Sequence, residues 1–556
     1  MKITIAQINT TPNDFEGNFS KILNGINSAI SDDSDVVVFP ELSIPGYLVR
    51  DLVYTHGFIE KNLLYLQKIA ELTKNAKLTV IVGYIDRNYK GYGKPFRNMA
   101  AIIQNGVISA TYQKRLLPAY NVFEEFLYFE PGTEPCIFKV NNNLCSVLIC
   151  EDLWRSDKGE TGNIRYKDDP ITQLKDIGVN YIFSINSSPY SKNKPIARIN
   201  LLKSVTKNWN NPINLIYVNQ IGGNDELIFD GHSCVISNGD IYKLIQTDIL
   251  PKKEIDIFKT MDIPAKGVNC SYFTPILEFD HLKMVLLGLY DYVTKSGFSK
   301  IVIGSSGGID SALVATLSTL AFGPTNVNCI MMPSIYSSEG SLLDAKQLHT
   351  NLKCNEYLVP IKHEDLLHTI NSNLHLENYN TVADENLQAR MRGQIVMHFS
   401  NATGALSLTT GNKTELSVSY STLFGDMAGT FNPIGDLYKC EVYEMARIIN
   451  MLYSDLIPTN IINKAPSAEL RPGQTDEQSL LPYPLLDEIC RLYIEDYVTD
   501  YETYYEITKS SVTKNDYNRI TRLIYNSEFK RRQACPTIKL SKVAFGTGRR
   551  LPIVKK

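Results

Sequence analysis

Short apolar runs alternate with longer stretches of mixed character along the first half of the chain, and this pattern predicts strands separated by helices. Several runs are apolar throughout, which is typical of strands covered on both faces. The predicted strands are Ile3–Ile8, Val36–Phe39, Thr79–Gly83, Met99–Gln104, Ser146–Cys150, Tyr181–Asn186 and Ile213–Asn219. Three polar residues, Glu41, Cys150 and Asn186, end or follow such strands. Because ligand sites of α/β folds gather at strand ends, these positions are the first candidates for a functional site.

The apolar pattern weakens between residues 251 and 274, where charged residues, Pro and Gly interrupt it. We interpret residues 251–274 as a linker between a first domain, residues 1–250, and a second domain, residues 275–556. A chain of 556 residues is too long for one hydrophobic core, which also favours two domains. The second domain is predicted to begin with a helix over His281–Ser296 and a strand over Lys300–Gly304.

Composition narrows the class of protein. The hydrophobic fraction of 44% and the charged fraction of 21% are typical of a soluble globular protein. A net charge of -3 offers no general attraction to nucleic acid or to an anionic membrane, and no apolar run is long enough to span a bilayer. The first ten residues form a predicted strand rather than a signal peptide. Ten cysteines without CxxC spacing do not indicate a disulfide scaffold, so we expect a cytoplasmic enzyme.

Three segments of the first domain contain residues suited to thiol chemistry: Glu41 in VVVFPELSIPGY, Lys114 in YQKRLLPAYNVFEEF and Cys150 in SVLICEDLW. A free thiol is mostly protonated at neutral pH, so a nucleophilic cysteine needs a base and a positive neighbour. A carboxylate can take the proton, and an ammonium group can stabilise the thiolate and an oxyanion. Each residue alone is more often structural. Together they favour a cysteine hydrolase that uses no histidine.

The three segments, with their FPE, KxxLP and CED sequences, resemble the nitrilase (carbon–nitrogen hydrolase) superfamily over roughly residues 1–250. This resemblance implies an α-β-β-α sandwich. It also implies that Glu41 is the general base, Lys114 stabilises the oxyanion and Cys150 is the nucleophile. Glu125 matches a second acid that the family often holds near the lysine. The positions that would bind a glutamine substrate are Tyr120, Ser187 and Arg198.

The segment IVIGSSGGIDSALVATL predicts a strand, a Ser/Gly turn and a helix. Gly307 and Gly308 would let backbone N–H groups approach a phosphate, and a helix beginning near Asp310 would add its positive end. No Walker A sequence is present, and the turn alone could be an ordinary strand-to-helix connection. The SGGxDS pattern resembles the pyrophosphate loop of N-type ATP pyrophosphatases. The candidate ATP-binding residues of this loop are Gly304, Ser305, Ser306, Gly307, Gly308, Ile309, Asp310 and Ser311.

Four later segments, ENLQARMRG, LTTGNKTELSVSYSTLFGD, DLYKCEVY and KAPSAEL, resemble NAD⁺ synthetases across roughly residues 275–556. This resemblance implies a doubly wound parallel sheet and adds Thr410, Lys439 and Ser467 to the predicted contacts with the co-substrate ATP. Asp310 and Glu415 would hold Mg²⁺, for which carboxylates are usual ligands.

Two residues predicted to contact the deamido-NAD⁺ acceptor, Asn386 and Arg390, lie four apart and therefore share one face of a predicted helix. Lys530 opens a basic segment that could equally be a solvated charge cluster. The full set of predicted acceptor contacts is Asn386, Arg390, Glu415, Tyr420, Ser421, Thr422, Leu423 and Lys530.

Together the resemblances imply that ammonia released from glutamine amidates deamido-NAD⁺ after ATP has adenylated it. They also imply a homo-oligomer with a buried ammonia tunnel, small-molecule substrates, and neither nucleic acid nor membrane as a partner. Three alternatives remain at this point: another ATP-pyrophosphatase amidotransferase, a stand-alone amidase with a nucleotide-binding second domain, and a nucleotide-sensing assembly protein. The first is disfavoured because Met1 is followed by Lys2, which leaves no N-terminal cysteine nucleophile. The last leaves the Glu-Lys-Cys set unexplained.

Overall fold

The computed structural model describes residues 1–155, 164–245, 255–264, 280–374, 381–476 and 480–555. The chain forms two compact units, Met1–Glu278 and Phe279–Lys556. Most of the segment interpreted as a linker lies outside the described residues. Ile257–Asp262, however, is a strand of the first unit, so the linker prediction is wrong there. Its mixture of polar and apolar side chains fits a strand at the edge of a sheet, where neither face is fully covered.

The strands of the first unit are short and mostly buried. They are β1 (Lys2–Gln7), β2 (Val36–Val38), β3 (Thr79–Arg87), β4 (Phe96–Gln104), β5 (Val107–Gln113), β6 (Ile137–Val140), β7 (Asn143–Ile149), β8 (Tyr181–Asn186), β9 (Asn214–Asn219), β10 (Ile221–Asn224), β11 (Leu227–Asp230), β12 (Cys234–Ser237), β13 (Asp240–Leu244) and β14 (Ile257–Asp262). The helices are α1 (Phe15–Ser31), α2 (Phe58–Leu72), α3 (Glu125–Tyr128), α4 (Pro170–Ile177) and α5 (Lys194–Val205).

Within the described residues, these strands form two six-stranded sheets and a two-stranded ribbon. The first sheet has the order β14-β1-β2-β3-β4-β5, the second the order β13-β12-β9-β8-β7-β6, and β10 pairs with β11. The central strands β1, β2 and β3 are parallel, as are β7, β8 and β9. Their carboxyl ends therefore meet on one side of each sheet, where the predicted catalytic residues follow.

Alternation along β1 shows how the layers are built. Ile3 and Ile5 lie in the hydrophobic core shared with the second sheet, whereas Ala6 and Ile8 pack in the core formed with α1 and α2. Helix α1 begins at its N-cap Asp14, whose side chain accepts a hydrogen bond from the Gly17 backbone. Helices α4 and α5 cover the second sheet. The predicted α-β-β-α sandwich is confirmed.

All seven strands predicted for the first domain are present. The predictions missed β5 because its residues alternate between exposed and partly buried at a sheet edge. They missed β10 because its sequence IGGN contains two glycines. They ended β3 early at Gly83, whereas antiparallel pairing with β4 continues to the pair Arg87 and Phe96.

The second unit contains a parallel sheet of β15 (Ile301–Gly304), β16 (Val327–Met331), β17 (Asn355–Leu358) and β18 (Leu406–Leu408). Its helices are α6 (Asp280–Lys295), α7 (Ile309–Phe322), α8 (Glu339–Leu352), α9 (His363–Leu374), α10 (Thr381–Thr403), α11 (Lys413–Val418), α12 (Lys439–Tyr453), α13 (Thr459–Asn463), α14 (Tyr483–Glu495), α15 (Tyr501–Thr508), α16 (Lys514–Asn526) and α17 (Glu528–Arg531). Along the part of the chain that is described, no helix is long and apolar enough to cross a membrane.

The order of this sheet is β17-β16-β15-β18, so the chain proceeds outwards from β15 in one direction and later returns to the other side of it. The loop after β15 therefore lies at a topological switch point, where open α/β sheets bind ligands. The predicted doubly wound sheet is confirmed, and the Ser/Gly loop occupies its expected ligand-binding position.

A buried ion cluster joins distant segments of the second unit. The Lys413 ammonium group is fully buried, 2.9 Å from an Asp436 carboxylate oxygen and 2.7 Å from a Glu495 carboxylate oxygen. It also donates to the Ser541 hydroxyl and to the Val543 carbonyl, at 2.7 and 2.8 Å. The ammonium group thereby holds the C-terminal segment against α11.

We expect the Lys413→Met substitution to destabilise the protein by roughly 3–5 kcal/mol, because it leaves Asp436 as a buried charge without its cation. Thermal unfolding followed by circular dichroism checks this. The exposed Lys542, which lies 3.3 Å from Asp496, supplies a control, since Lys542→Met should leave the midpoint almost unchanged. Equal midpoints for the two variants would contradict the prediction.

Candidate active sites

The first site is built at the ends of strands in the first unit. Glu41 follows β2, Lys114 follows β5 and Cys150 follows β7. Lys114 Nζ lies 2.6 Å from Glu41 Oε1 and 2.8 Å from both carboxylate oxygens of Glu125. Cys150 lies close enough to Glu41 and Lys114 for their charges to act on its thiol. The fold thus brings together the four residues predicted to be catalytic.

Cys150 adopts a left-handed backbone conformation, with φ at 43°, and begins the 3-10 turn Cys150–Leu153. Such a conformation is uncommon for a residue with a side chain and turns the chain sharply at the end of a strand. Burial raises the pKa of the thiol well above its usual value; Glu41 also raises it, and Lys114 opposes the shift. The resting group is therefore a thiol, which needs a base when it attacks.

The Lys114 ammonium is charged despite complete burial. Burial lowers its pKa, but Glu125 and Glu41 outweigh this effect and raise the pKa well above the usual value. Burial raises the pKa of Glu125, and the nearby Lys114 works against that shift. One cation shared by two acids leaves the cluster with net negative charge when both are ionised, so a proton can be accepted there.

The residues predicted to bind glutamine already have partners within the protein. Tyr120 donates to a Glu151 carboxylate oxygen at 3.1 Å. The backbone N–H of Ser187 donates to Glu41 Oε2 at 3.0 Å, so Ser187 orients the base. The guanidinium of Arg198 is buried and lies 2.9 and 3.0 Å from the two carboxylate oxygens of Asp230. Direct contact of these three residues with glutamine stays a prediction.

The second site is a cavity in the second unit, at the switch point of the parallel sheet. Except for Gly307, the predicted ATP-binding residues line it: Gly304, Ser305, Ser306, Gly308, Ile309, Asp310, Ser311, Thr410, Lys439 and Ser467. Gly307 has φ at 79°, and a Cβ there would lie 2.2 Å from the backbone oxygen of Ser341. Glycine is therefore required at this position both by conformation and by space.

Two carboxylates meet at a lysine beside this loop. Lys439 Nζ lies 2.5 Å from Asp310 Oδ2 and 3.4 Å from Glu415 Oε1. Asn412 also orients the acids: its side chain donates to Asp310, and its backbone N–H donates to Glu415. Burial, followed by the charge of Asp310, raises the pKa of Glu415 to about 8. Asp310 and Glu415, predicted as metal ligands, are thus neighbours.

Three residues predicted to bind the acceptor hold one segment, residues 419–423. Asn386 accepts a hydrogen bond from the Thr422 hydroxyl at 2.6 Å, and Arg390 donates to the Leu423 carbonyl at 3.2 Å. Lys530 donates to the carbonyls of Ser419 and Ser421, at 3.0 and 2.6 Å. Of the predicted acceptor contacts, those that line the cavity are Glu415, Tyr420 and Ser421.

Both halves of the chain match known families. Residues 2–241 match the carbon-nitrogen hydrolase family, and residues 281–534 match the NAD synthase family. The chain is 38% identical to the glutamine-dependent NAD(+) synthetase of Thermotoga maritima, covering 100% of this chain and 99% of that protein. It is 37% identical to the protein of the same name from Synechocystis sp., covering 100% of this chain and 98% of that protein. This chain belongs to the glutamine-dependent NAD(+) synthetases.

Solved structures agree with this assignment. The structure of the glutamine-dependent NAD+ synthetase from Acinetobacter baumannii, in complex with adenosine diphosphate, has a TM-score of 0.75 and 32% identity to this chain. The match covers 100% of this chain and 98% of the Acinetobacter baumannii chain. The enzyme from Cytophaga hutchinsonii, at 21% identity and a TM-score of 0.82, shares the fold over 100% of this chain and 98% of that one.

Two residues that were not predicted from the sequence orient the acids of this site. Asn98, on β4, donates from Nδ2 to Glu41 Oε1 at 2.8 Å, and the Tyr47 hydroxyl donates to Glu125 Oε1 at 3.0 Å. The available signal was a polar residue directly before the apolar run Met99–Ile103, and the structure buries Asn98 completely. Gly83 belongs to the same arrangement, since a Cβ there would lie 2.3 Å from the backbone nitrogen of Leu42.

Glu151, next to the nucleophile, was also missed. It is buried, and it accepts hydrogen bonds from the hydroxyls of Tyr120 and Tyr166 at 3.1 and 2.8 Å. Burial raises the pKa of Glu151 from 4.5 to about 7. Near neutral pH this carboxyl group therefore exists partly in its protonated form.

We expect the Asn98→Leu substitution to lower the rate of glutamine hydrolysis by about 100-fold, because Glu41 loses a hydrogen bond that fixes its position. A glutaminase assay measures this. Gln104 lies on the same strand but outside the site, and Gln104→Leu should change the rate little. Equal rates for the two variants would show that Asn98 does not position the base.

The raised pKa of Glu151 predicts a pH-dependent stability. Between about pH 4.5 and pH 7 the folded protein keeps a proton that the unfolded chain releases, so this residue makes stability fall as pH rises through that interval. Glu151→Gln cannot titrate. The melting temperature of this variant, relative to wild type, should therefore increase as pH is raised across the interval. A pH-independent difference for Glu151→Gln would contradict the assignment.

Proposed function

We propose that this chain amidates deamido-NAD⁺ to NAD⁺ with ammonia that it releases from glutamine, and that ATP activates the acceptor. The observation that supports this most directly is the presence of two sites in one chain. One is a Glu41-Lys114-Cys150 cluster, and the other is a phosphate-binding loop with Asp310 and Lys439 beside it. Family membership over the full length of the chain supports the same reaction.

In the first unit, Cys150 attacks the side-chain amide carbon of glutamine while its proton passes to Glu41. The oxyanion that forms is stabilised by the Lys114 ammonium group. Glu41 then gives its proton to the departing nitrogen, which leaves as ammonia and a thioester remains. Water, deprotonated by Glu41, hydrolyses the thioester to glutamate and restores the thiol.

In the second unit, the carboxylate of deamido-NAD⁺ attacks the α-phosphorus of ATP, and pyrophosphate departs. The carboxylate needs this activation because it is a poor electrophile with a poor leaving group. Backbone N–H groups at the start of α7 would bind the negative phosphates, and Lys439 lies where it can neutralise them. Ammonia then attacks the acyl carbon, AMP leaves, and the amide is formed.

Asp310 and Glu415 fit a Mg²⁺ ion, because one carboxylate oxygen of each lies close to the same cation, the Lys439 ammonium group. Among the described residues no cluster of three or more potential metal-ligating side chains occurs, so the remaining ligands would be phosphate oxygens and water. The ion would neutralise charge on the departing pyrophosphate. Homo-oligomer formation, ammonia channelling and a cytoplasmic location are further predictions from the family resemblance.

We expect Cys150→Ala to abolish NAD⁺ formation from glutamine and to leave formation from ammonium within about twofold of wild type, because only the first unit uses the thiol. NAD⁺ production with each nitrogen source measures this. Cys145 lies on β7, before the strand ends at Ile149, and supplies the control, since Cys145→Ala should retain both reactions.

Loss of both reactions in a folded Cys150→Ala protein would contradict this division of labour. Pyrophosphate release provides a second criterion, since it should require ATP and deamido-NAD⁺ together. A protein that hydrolyses glutamine but releases no pyrophosphate under these conditions would be a stand-alone amidase.

A further inference from the structure

A buried histidine outside the predicted site contacts the phosphate-binding loop. His349 lies in the last turn of α8 and is only 2% exposed. Its Nε2 lies 2.9 Å from the Ser305 hydroxyl, and its Nδ1 lies 2.8 Å from Glu356 Oε2. Ser305 is the first residue after β15 and Glu356 lies on β17, so three separate elements form one hydrogen-bonded chain.

The parallel sheet fixes the positions of Ser305 and Glu356, the two ends of this hydrogen-bonded series. Strand β16 pairs with β15 on one side and with β17 on the other, and Cys329 of β16 lies opposite both Ile303 and Glu356. The Ser305 backbone N–H donates to the Ile330 carbonyl at 2.9 Å, which keeps the start of the loop against β16. His349 spans from the outer strand β17 to this point.

The chemistry of the partners sets the direction of the hydrogen bonds. An ionised carboxylate can only accept, so His349 Nδ1 carries the proton that bonds to Glu356. Burial lowers the pKa of His349, and Glu356 opposes the shift, so the ring is neutral near pH 7. Nε2 then has a lone pair and accepts the hydroxyl proton of Ser305.

Helix α8 contacts the loop at a second place. The backbone oxygen of Ser341, in the first turn of α8, packs so closely against Gly307 that a Cβ there would lie only 2.2 Å from it. Gly307 and Gly308 have no side chains with which to fix their own conformation. Besides its own hydrogen bonds among Ser306, Gly308 and Ser311, the loop is held from outside, by Ser341 against Gly307 and by His349 on Ser305.

We propose that His349 is a positioning residue for ATP: supported by Glu356, it ties down the Ser305 hydroxyl and so fixes the loop whose N–H groups bind the phosphates. Ser305 has one hydroxyl proton, and His349 takes it, so Ser305 does not donate that proton to the nucleotide. This inference rests on the proposed function, since it assigns the loop to ATP.

The test compares two substitutions of His349 with a neighbouring control. His349→Leu fills the space without hydrogen bonds, whereas the His349→Gln side chain retains an oxygen that can accept from Ser305 and an amide that can donate to Glu356. We expect His349→Leu to raise the Kd for ATP, measured by calorimetry, and the KM for ATP in the ammonium-driven reaction about tenfold. His349→Gln should stay within about threefold of wild type, and Thr350→Val, on the exposed face of the same turn, should match wild type.

A double-mutant cycle with Ser305→Ala separates positioning from general stability. If His349 acts through Ser305, the doubly substituted protein should bind ATP no more weakly than the weaker of the two single variants. The proposal would be overturned if the Kd for ATP of the double variant rose by the product of the two single fold-changes. Equal losses in His349→Leu and His349→Gln would also overturn it, as would a fall in melting temperature that accounts for the whole loss of affinity.

Calorimetry with ATP alone keeps this inference distinguishable from the proposed function. If wild type binds ATP and the variants behave as expected, but no NAD⁺ forms from deamido-NAD⁺, the assignment of the acceptor fails while the positioning role stands. If wild type binds no ATP at all, the positioning role is overturned.

Discussion

Lys114 is fully buried, and its ammonium group remains charged there only because Glu41 and Glu125 accept hydrogen bonds from it. An unpaired cation at this depth would be too costly, and removal of Lys114 would leave the two buried acids without a cation. The rest of the first site is arranged around this cluster. Asn98, Tyr47 and the Ser187 backbone complete the hydrogen bonds of the two acids.

Compensation of a lysine charge by two carboxylates also occurs in the second unit, but in a different setting. Lys439 is also placed between two carboxylates, Asp310 and Glu415, but these line a cavity and are not sealed into a core. A group beside a cavity can exchange its protein partners for a ligand, so the cluster suits binding and release of charged phosphates. Lys413, by contrast, is enclosed with Asp436 and has a structural role. Both lysines are buried and begin helices; what distinguishes them is that Asp310 and Glu415 are partly exposed, whereas Asp436 is fully buried.

The Ser/Gly loop at the switch point, to which we assign phosphate binding, receives support from outside the loop as well as from its own hydrogen bonds. Gly307 and Gly308 are needed for close approach of the backbone, yet glycine loses the most conformational freedom when it is ordered. Contacts from α8 offset this loss, because Ser341 and His349 reach the loop from opposite ends of that helix. A single packed helix thus supports the geometry that the flexible residues cannot maintain alone.

The sequence by itself determined seven strands of the first unit, the Ser/Gly loop and the family, because apolar runs and short local patterns can be recognised without knowledge of the fold. The cluster that we propose to be catalytic could be predicted because Glu41, Lys114 and Cys150 each stand in a distinctive local context. Asn98 and His349 have no such context, and the CED sequence that contains Glu151 does not reveal its hydrogen-bond partners. Their partners are distant along the chain, so only the tertiary structure decided that they meet. Edge strands such as β5 and β14 were missed for a related reason, since their pairing, and not their hydrophobicity, defines them.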